Sequence, residues 1–245
     1  MGKELRQRRI RDLDRTIRDA LGRVSSPEYT AEPGIAGIPT VLLYVKGELV
    51  EASIVDALGG TQDVTRNIKT ILTVPLTLMP LKGEKTLPDL LRVWGIAYME
   101  KEAFESLNLE RVRTRQPPFA AMGDAVSTTL IHPDLRVSAR QPLNMFCCGL
   151  SQEARAAEGL GITSHHDMMV TLQQWGLRVN RPHILICRGI SEVITCMEHL
   201  AAESAGFPYE IDGALLQLND LGCRSRLEEA ASGPGWNVAF ETEER

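Results

Sequence analysis

A short stretch rich in glycine, alanine and proline, residues 31–37, stands directly before a pattern typical of a β-hairpin. Its small side chains let the backbone turn sharply and approach a ligand closely. Residues 38–44 and 49–55 have the composition of paired strands, and residues 45–48 have that of the tight turn between them. We therefore expect a flexible loop, serving as a pocket wall or only as a corner, that leads into the hairpin. No side chain from Pro33 to Gly37 can act as a nucleophile, acid or base.

The composition is that of an ordinary globular protein. The chain has 245 residues, is 43% hydrophobic and contains no proline- or serine-rich linker, so it can bury one sizeable core. We expect a basic amphipathic helix and linker in residues 1–30 and one main domain in residues 31–245. No run of about 18 apolar residues and no signal-peptide pattern is present, which predicts a cytoplasmic protein without membrane contact.

Two clusters of arginines could contact nucleic acid, although the net charge of −5 gives no general support to such binding. In residues 3–23, basic side chains outnumber acidic ones and apolar residues recur at helical spacing. This pattern favours a helix with a solvated charged face and leaves a nucleic-acid-binding arm open. Residues 111–123 contain two adjacent prolines and predict a surface loop. The arginines that would make weak nucleic-acid contacts are Arg8, Arg9, Arg11, Arg111, Arg113 and Arg115.

Cysteine and histidine residues raise the question of a metal site. The 5 cysteines are irregularly spaced and form no C-x-x-C pair, so we expect free thiols in a reducing compartment and no metal. His165, His166 and Asp167 are adjacent, and adjacent residues on a helix point in different directions. We therefore favour a helix start capped by Ser164, with Asp167 complementing the helix dipole.

Short strands with tight turns, interrupted by helices in irregular order, indicate an α+β fold with antiparallel sheets rather than a doubly wound parallel sheet. Beyond the hairpin, strands are predicted at residues 90–97, 143–150, 209–219 and 236–240. Helices are predicted at residues 63–71, 101–107, 164–175, 190–205 and 227–231.

The order of these segments resembles the adenylation domain of NAD-dependent DNA ligases. Residues 31–37, the hairpin and residues 62–71 match the beginning of that domain, and residues 175–177, 209–213 and 233–236 follow in the family's order. The resemblance implies a nucleotidyltransferase fold over about residues 32–240. It also implies a pocket in which a lysine attacks the α-phosphorus of NAD, and the resulting lysyl-AMP passes its adenylate to a DNA 5′-phosphate in replication or repair.

The catalytic groups of that family are replaced at the positions that the resemblance assigns to them. The replacements are Gly34 for the nucleophilic lysine, Ala36 for aspartate, Val55 for arginine, Trp94-Gly95-Ile96 for arginine-glycine-glutamate, Gln217 for lysine and Glu241 for lysine. Glu32, which in the family lies at the adenine, is the pocket residue that would be retained. The degenerate nucleotide pocket would thus contain Glu32, Gly34, Ala36, Val55, Trp94, Ile96, Gln217 and Glu241.

These replacements predict a pseudoenzyme, a catalytically inactive ligase-like adenylation domain that acts as a binding or assembly module for a protein partner. We expect no catalytic residue and no cofactor, and NAD would bind only where the ancestral binding is retained. Two alternatives stay open. One is an active nucleotidyltransferase of the NAD-dependent ligase type that uses a relocated lysine, Lys46 or Lys69. The other is a non-catalytic binder of nucleic acid or nucleotides.

Overall fold

A computed structural model describes residues 3–23, 25–55, 60–80, 87–150, 160–229 and 237–241. The elements of its first half are α1 (Lys3–Leu21), β1 (Glu28–Ile35), β2 (Ile38–Val45), β3 (Glu48–Val55), β4 (Thr61–Asp63), α2 (Thr65–Ile68), β5 (Leu90–Met99) and α3 (Lys101–Arg113). The second half contains α4 (Met122–Leu130), α5 (Leu135–Arg140), β6 (Leu143–Leu150), α6 (His165–Gln174), β7 (Leu185–Arg188), α7 (Ile190–Glu203), β8 (Ile211–Leu218), α8 (Leu221–Glu229) and β9 (Asn237–Glu241). Short 3-10 helices lie at Arg181–His183 and Ser204–Gly206.

The strands form two antiparallel sheets. One has four strands in the order β7-β1-β8-β9, and the other has five in the order β4-β3-β2-β5-β6. Every strand pairing in the described ranges is antiparallel, and helices flank both sheets. The predicted α+β fold is therefore confirmed.

The stretch before the hairpin is mainly a strand, so the prediction of a loop over residues 31–37 is wrong for its first five residues. Residues 31–35 are the second half of β1 and pair with β8, and only Ala36 and Gly37 link the two sheets. Pro33 is compatible with this strand because β7 pairs with β1 no further than Ala31, so Pro33 has a partner strand on one side. Composition alone suggested a turn because proline and glycine are rare inside strands.

Each sheet buries its own hydrophobic cluster. The cluster under the five-stranded sheet includes Leu42, Tyr44, Val93 and Trp175, all essentially inaccessible to solvent. The cluster under the four-stranded sheet is covered by α1, α7 and α8. The predicted N-terminal helix is confirmed: residues such as Ile10 and Ile17 of α1 are buried in this second cluster, as helical spacing requires.

The prediction of a surface loop over residues 111–123 is also wrong at both ends. α3 continues to Arg113, and α4 begins at Met122. Arg111 and Arg113 thus lie in the last turn of α3, while Arg115 follows the helix with a left-handed φ of 59°. α3 ends several residues later than predicted because residues 108–113 are mostly good helix formers, and the chain leaves the helix at Thr114 and Arg115. The strands β4 and β7 and the helices α4 and α5 were not predicted.

Candidate functional site

Gly34 lies near the end of β1, in the part of the strand that has only β8 as a partner. It pairs with Gly213 of β8, and Gly213 pairs on its other side with Glu241 of β9. The register of β1 shifts directly after Gly34, which is a bulge at the end of the strand. The position that the resemblance assigns to the nucleophile is therefore held in regular backbone pairing. The backbone of Glu241 is two strands away, and its side chain falls outside the described part.

A buried hydrogen-bonded group lies two residues before Gly34. Thr30 is directly opposite Gln217, so Glu32 stands on the same face of the sheet, diagonal to Gln217. Glu32 Oε1 accepts hydrogen bonds from Gln217 Nε2 and, at 3.0 Å, from His165 Nε2. The side chain of Glu32 is 11% exposed and that of His165 is fully buried. We call Glu32, His165 and Gln217 the Glu32 cluster.

His165 reaches this cluster because the start of α6 is anchored to the end of β8. Its backbone N–H donates to the carbonyl of Asn219 at 2.8 Å. Ser164 Oγ accepts from the N–H of Asp167 at 3.1 Å, so the predicted helix cap is confirmed. The cluster role of His165 was not predicted, since 133 residues separate it from Glu32 and no local pattern connects them.

His165 also carries an unsatisfied polar atom. Its Nδ1 is buried and has no hydrogen-bond partner among the described residues. The imidazole is therefore held through Nε2 alone, and the contact to Glu32 is its polar anchor. The polar groups of this cluster bond to one another inside the protein, which leaves little of the Glu32 side chain accessible to a ligand.

Apart from Ala36, which is in the link between the sheets, the remaining expected pocket residues with described side chains lie on the five-stranded sheet. Trp94 and Ile96 are half-buried on the face of β5 opposite to the core residues Val93 and Ala97. Val55 is the last residue of β3 and is 63% exposed. None of these three side chains carries a charge that could neutralise a phosphate.

Gly37 joins the two sheets by a very close backbone approach. A Cβ atom at this position would lie 2.3 Å from the carbonyl oxygen of Ala97 and 2.6 Å from Ile96 Cγ2. Both distances are shorter than real Cβ contacts, so the link requires glycine here. The contact fixes the end of β1 against β5, and the N–H of Ala36 is bonded to the carbonyl of Glu210 at 3.0 Å.

The two lysines considered as relocated nucleophiles are both exposed. Lys46 is in the turn between β2 and β3, and Lys69 follows α2. β2 has 8 residues, each rising about 3.3 Å, so Lys46 is at the far end of the hairpin from Gly37.

The two arginine clusters lie on α1 and around the end of α3. Arg8, Arg9 and Arg11 are exposed on α1. Arg111 is held within the protein, because its Nε donates to the carbonyl of Pro117 at 2.7 Å and its guanidinium lies 4.0 Å from the ring centroid of Phe119.

Two further features, a metal-binding cluster and a membrane-spanning helix, do not occur within the described ranges. No group of three or more histidine, cysteine, aspartate or glutamate side chains there could hold a metal ion. Among the described helices, none combines the length and the apolar character needed to span a bilayer. Residues 56–58, 82–85, 230–231 and 233–236, which carried part of the sequence predictions, lie outside the described residues.

Two antiparallel sheets flanked by helices are the architecture of a nucleotidyltransferase-like domain. The family model of the NAD-dependent DNA ligase adenylation domain matches residues 2–244. The chain therefore belongs to this family.

Curated relatives agree with this assignment. The DNA ligase of Halorhodospira halophila is 37% identical over 94% of this chain, and that of Syntrophus aciditrophicus is 34% identical over 94%. The DNA ligase of Bacillus cytotoxicus is 33% identical over 98% of this chain. The matched regions make up 31%, 33% and 34% of these ligases, respectively, so the chain spans about a third of their length.

Proposed function

We propose that this adenylation domain is a pseudoenzyme that binds or assembles with a protein partner. The observation that carries the proposal is the Glu32 cluster beside Gly34. At a position that the resemblance assigns to a lysine, the uncharged Gln217 donates to Glu32. Glu32, the retained acid of the expected pocket, is thus hydrogen-bonded to other side chains of the chain. Gly34, two residues further on, has no side chain that could act as a nucleophile.

The size of the expected loss supports this proposal. Losing the nucleophile of a covalent mechanism costs on the order of a million-fold in turnover. None of the eight expected pocket positions carries a basic side chain, whereas phosphoryl transfer depends mainly on positioning and on neutralising charge. An arginine that stabilises such a transition state contributes about 10³–10⁵-fold. The eight expected pocket positions therefore supply neither the nucleophile nor a basic side chain for the phosphoryl group.

We expect no covalent adenylate on this protein. The chain would be incubated with radiolabelled NAD or ATP and magnesium, denatured and separated by electrophoresis. The DNA ligase of Halorhodospira halophila, labelled under the same conditions, serves as the positive control. A labelled band that survives denaturation would contradict the proposal. Its loss in Lys46→Ala or Lys69→Ala would then assign activity to a relocated lysine.

We expect a protein partner to co-purify with the tagged chain from its native cell after nuclease treatment. The partner should be present in near-stoichiometric amount and reassociate when both proteins are purified. Absence of such a partner would contradict the assembly role. Binding to nicked duplex that weakens steeply between low and moderate salt would instead favour the nucleic-acid alternative through the exposed arginines of α1.

A further inference from the structure

α3 lies on the surface of the domain and presents an apolar stripe to solvent. None of its 13 residues is fully buried. Leu109 and Val112 are 60% and 58% exposed. Together with Glu105 they recur at intervals of four and three residues, so the three side chains lie along one side of the helix. This spacing is the one that paired helices use for the residues between them.

The other side of α3 is fixed to the domain. Ala103, Phe104 and Leu107 pack against the hydrophobic cluster under the five-stranded sheet. Asn108 Nδ2 donates to the carbonyl of Phe119 at 3.1 Å, and Asn108 Oδ1 accepts from the N–H of the same residue at 2.8 Å. Rotation of the helix would break these contacts, so the apolar stripe stays at the surface.

A shallow hollow of about 390 Å³ runs beside the stripe. Its walls are Phe104, Glu105, Asn108, Leu109 and Val112. Apolar side chains from a facing helix would fit into this hollow, as knobs fit between the residues of a neighbouring helix.

Charge is arranged symmetrically about the centre of the stripe. Glu105 is four residues before Leu109, and Arg113 is four residues after it. In an antiparallel pair of α3 helices with a twofold axis at Leu109, residues at equal distances from Leu109 meet. Glu105 of each copy would therefore lie opposite Arg113 of the other. Both side chains are exposed, and neither makes an ion pair within the described ranges.

We propose that α3 is a self-association site, through which two copies of this chain pair antiparallel about a twofold axis. Leu109 and Val112 of both copies form the apolar centre, and an ion pair between Glu105 and Arg113 closes it at each end. A second copy fits this surface because α3 itself carries both halves of each ion pair. An interface made by one helix from each copy is small, so we expect a weak dimer. α3 contains none of the eight expected pocket positions, so the inference does not depend on whether the domain is a pseudoenzyme.

Sedimentation equilibrium of the full chain tests the self-association. The measurement covers low micromolar to near-millimolar concentrations under reducing conditions and at low salt, where exposed ion pairs are screened least. We expect a monomer–dimer equilibrium. Leu109→Lys should abolish the dimer, whereas Val50→Lys, which changes a 46% exposed residue of β3, should leave it unchanged. A monomer at every concentration, or a dimer that persists in Leu109→Lys, would overturn the proposal.

Charge reversals test the antiparallel arrangement, and circular dichroism checks that each variant is folded. Glu105→Arg and Arg113→Glu should each weaken the dimer at least about tenfold, because each change places two pairs of like charges in the interface. An equal mixture of the two variants should dimerise like the unaltered chain, since each reversed side chain then faces an opposite charge. A mixture that stays as weak as the separate variants would overturn the proposed pairing.

Discussion

The Gly34→Lys variant is expected to fold and to form no detectable covalent AMP. A Cβ atom at Gly34 would lie 3.4 Å from the carbonyl oxygen of Gly213, which is ordinary contact, and its φ is outside the left-handed region. The new amine would stand on the same sheet as the Glu32 cluster, and none of the other seven expected pocket positions carries a cation that could neutralise a phosphoryl group. We expect its adenylation rate to stay at least about 10³-fold below that of a DNA ligase, which is the lower contribution of one stabilising arginine.

The same labelling assay with NAD and magnesium tests this variant, and circular dichroism checks that it is folded. The matched comparison is a variant that also changes the surrounding positions. Its further substitutions are Ala36→Asp, Val55→Arg, Ile96→Glu, Gln217→Lys and Glu241→Lys. Labelling in the multiple variant alone would agree with the expectation. Strong labelling of Gly34→Lys by itself would show that the rest of the pocket is competent.

Replacing Gly37 by alanine should destabilise the protein much more than the same change at Gly34. The added Cβ would clash with the backbone oxygen of Ala97, and neither β1 nor β5 can move without breaking its strand pairing. Overpacking of this kind costs about 1–3 kcal/mol, and sometimes more. Gly34→Ala should change the free energy of unfolding by less than about 1 kcal/mol, because its contact is ordinary and alanine restricts the unfolded chain.

Urea unfolding of both variants, followed by circular dichroism, measures this difference. The two glycines are three residues apart and flank the same bulge, so Gly34→Ala controls for the loss of glycine flexibility. Equal urea midpoints for the two variants would contradict this prediction. They would mean that the backbone around Gly37 can shift to accept a Cβ atom without lowering the free energy of unfolding.

The elements that the sequence predicted well are those whose pattern is set by local packing. The hairpin β2–β3 and the strands β5, β6 and β8 have apolar or alternating residues bounded by turns, and all appear close to the predicted ranges. The second half of β1 was missed because Pro33 and Gly34 disfavour strands locally, while pairing with β8 overrides that preference. Tertiary pairing of this kind has no local signature.

For the candidate site, the resemblance predicted which residues occupy the expected pocket positions, and the structure shows what surrounds each of them. The structure places Glu32, Gly34 and Gln217 on the neighbouring strands β1 and β8, which the spacing of these residues in the sequence could not show. His165 joins them through a tertiary contact that depends on where α6 is anchored. Val55 was predicted as a pocket residue. The structure places it at the exposed end of β3, and a valine by itself does not indicate where its strand ends.

Because β7 pairs with β1 only as far as Ala31, part of β1 forms an open edge, and this affects how the protein behaves in concentrated solution. Beyond Ala31, β1 has β8 on one side and no strand of the described ranges on the other. An open strand edge is a template on which another chain can add a strand and begin to aggregate. Pro33 stands within this open half and offers no N–H to an incoming strand. The residue that made β1 hard to recognise is thus also a safeguard against unwanted association.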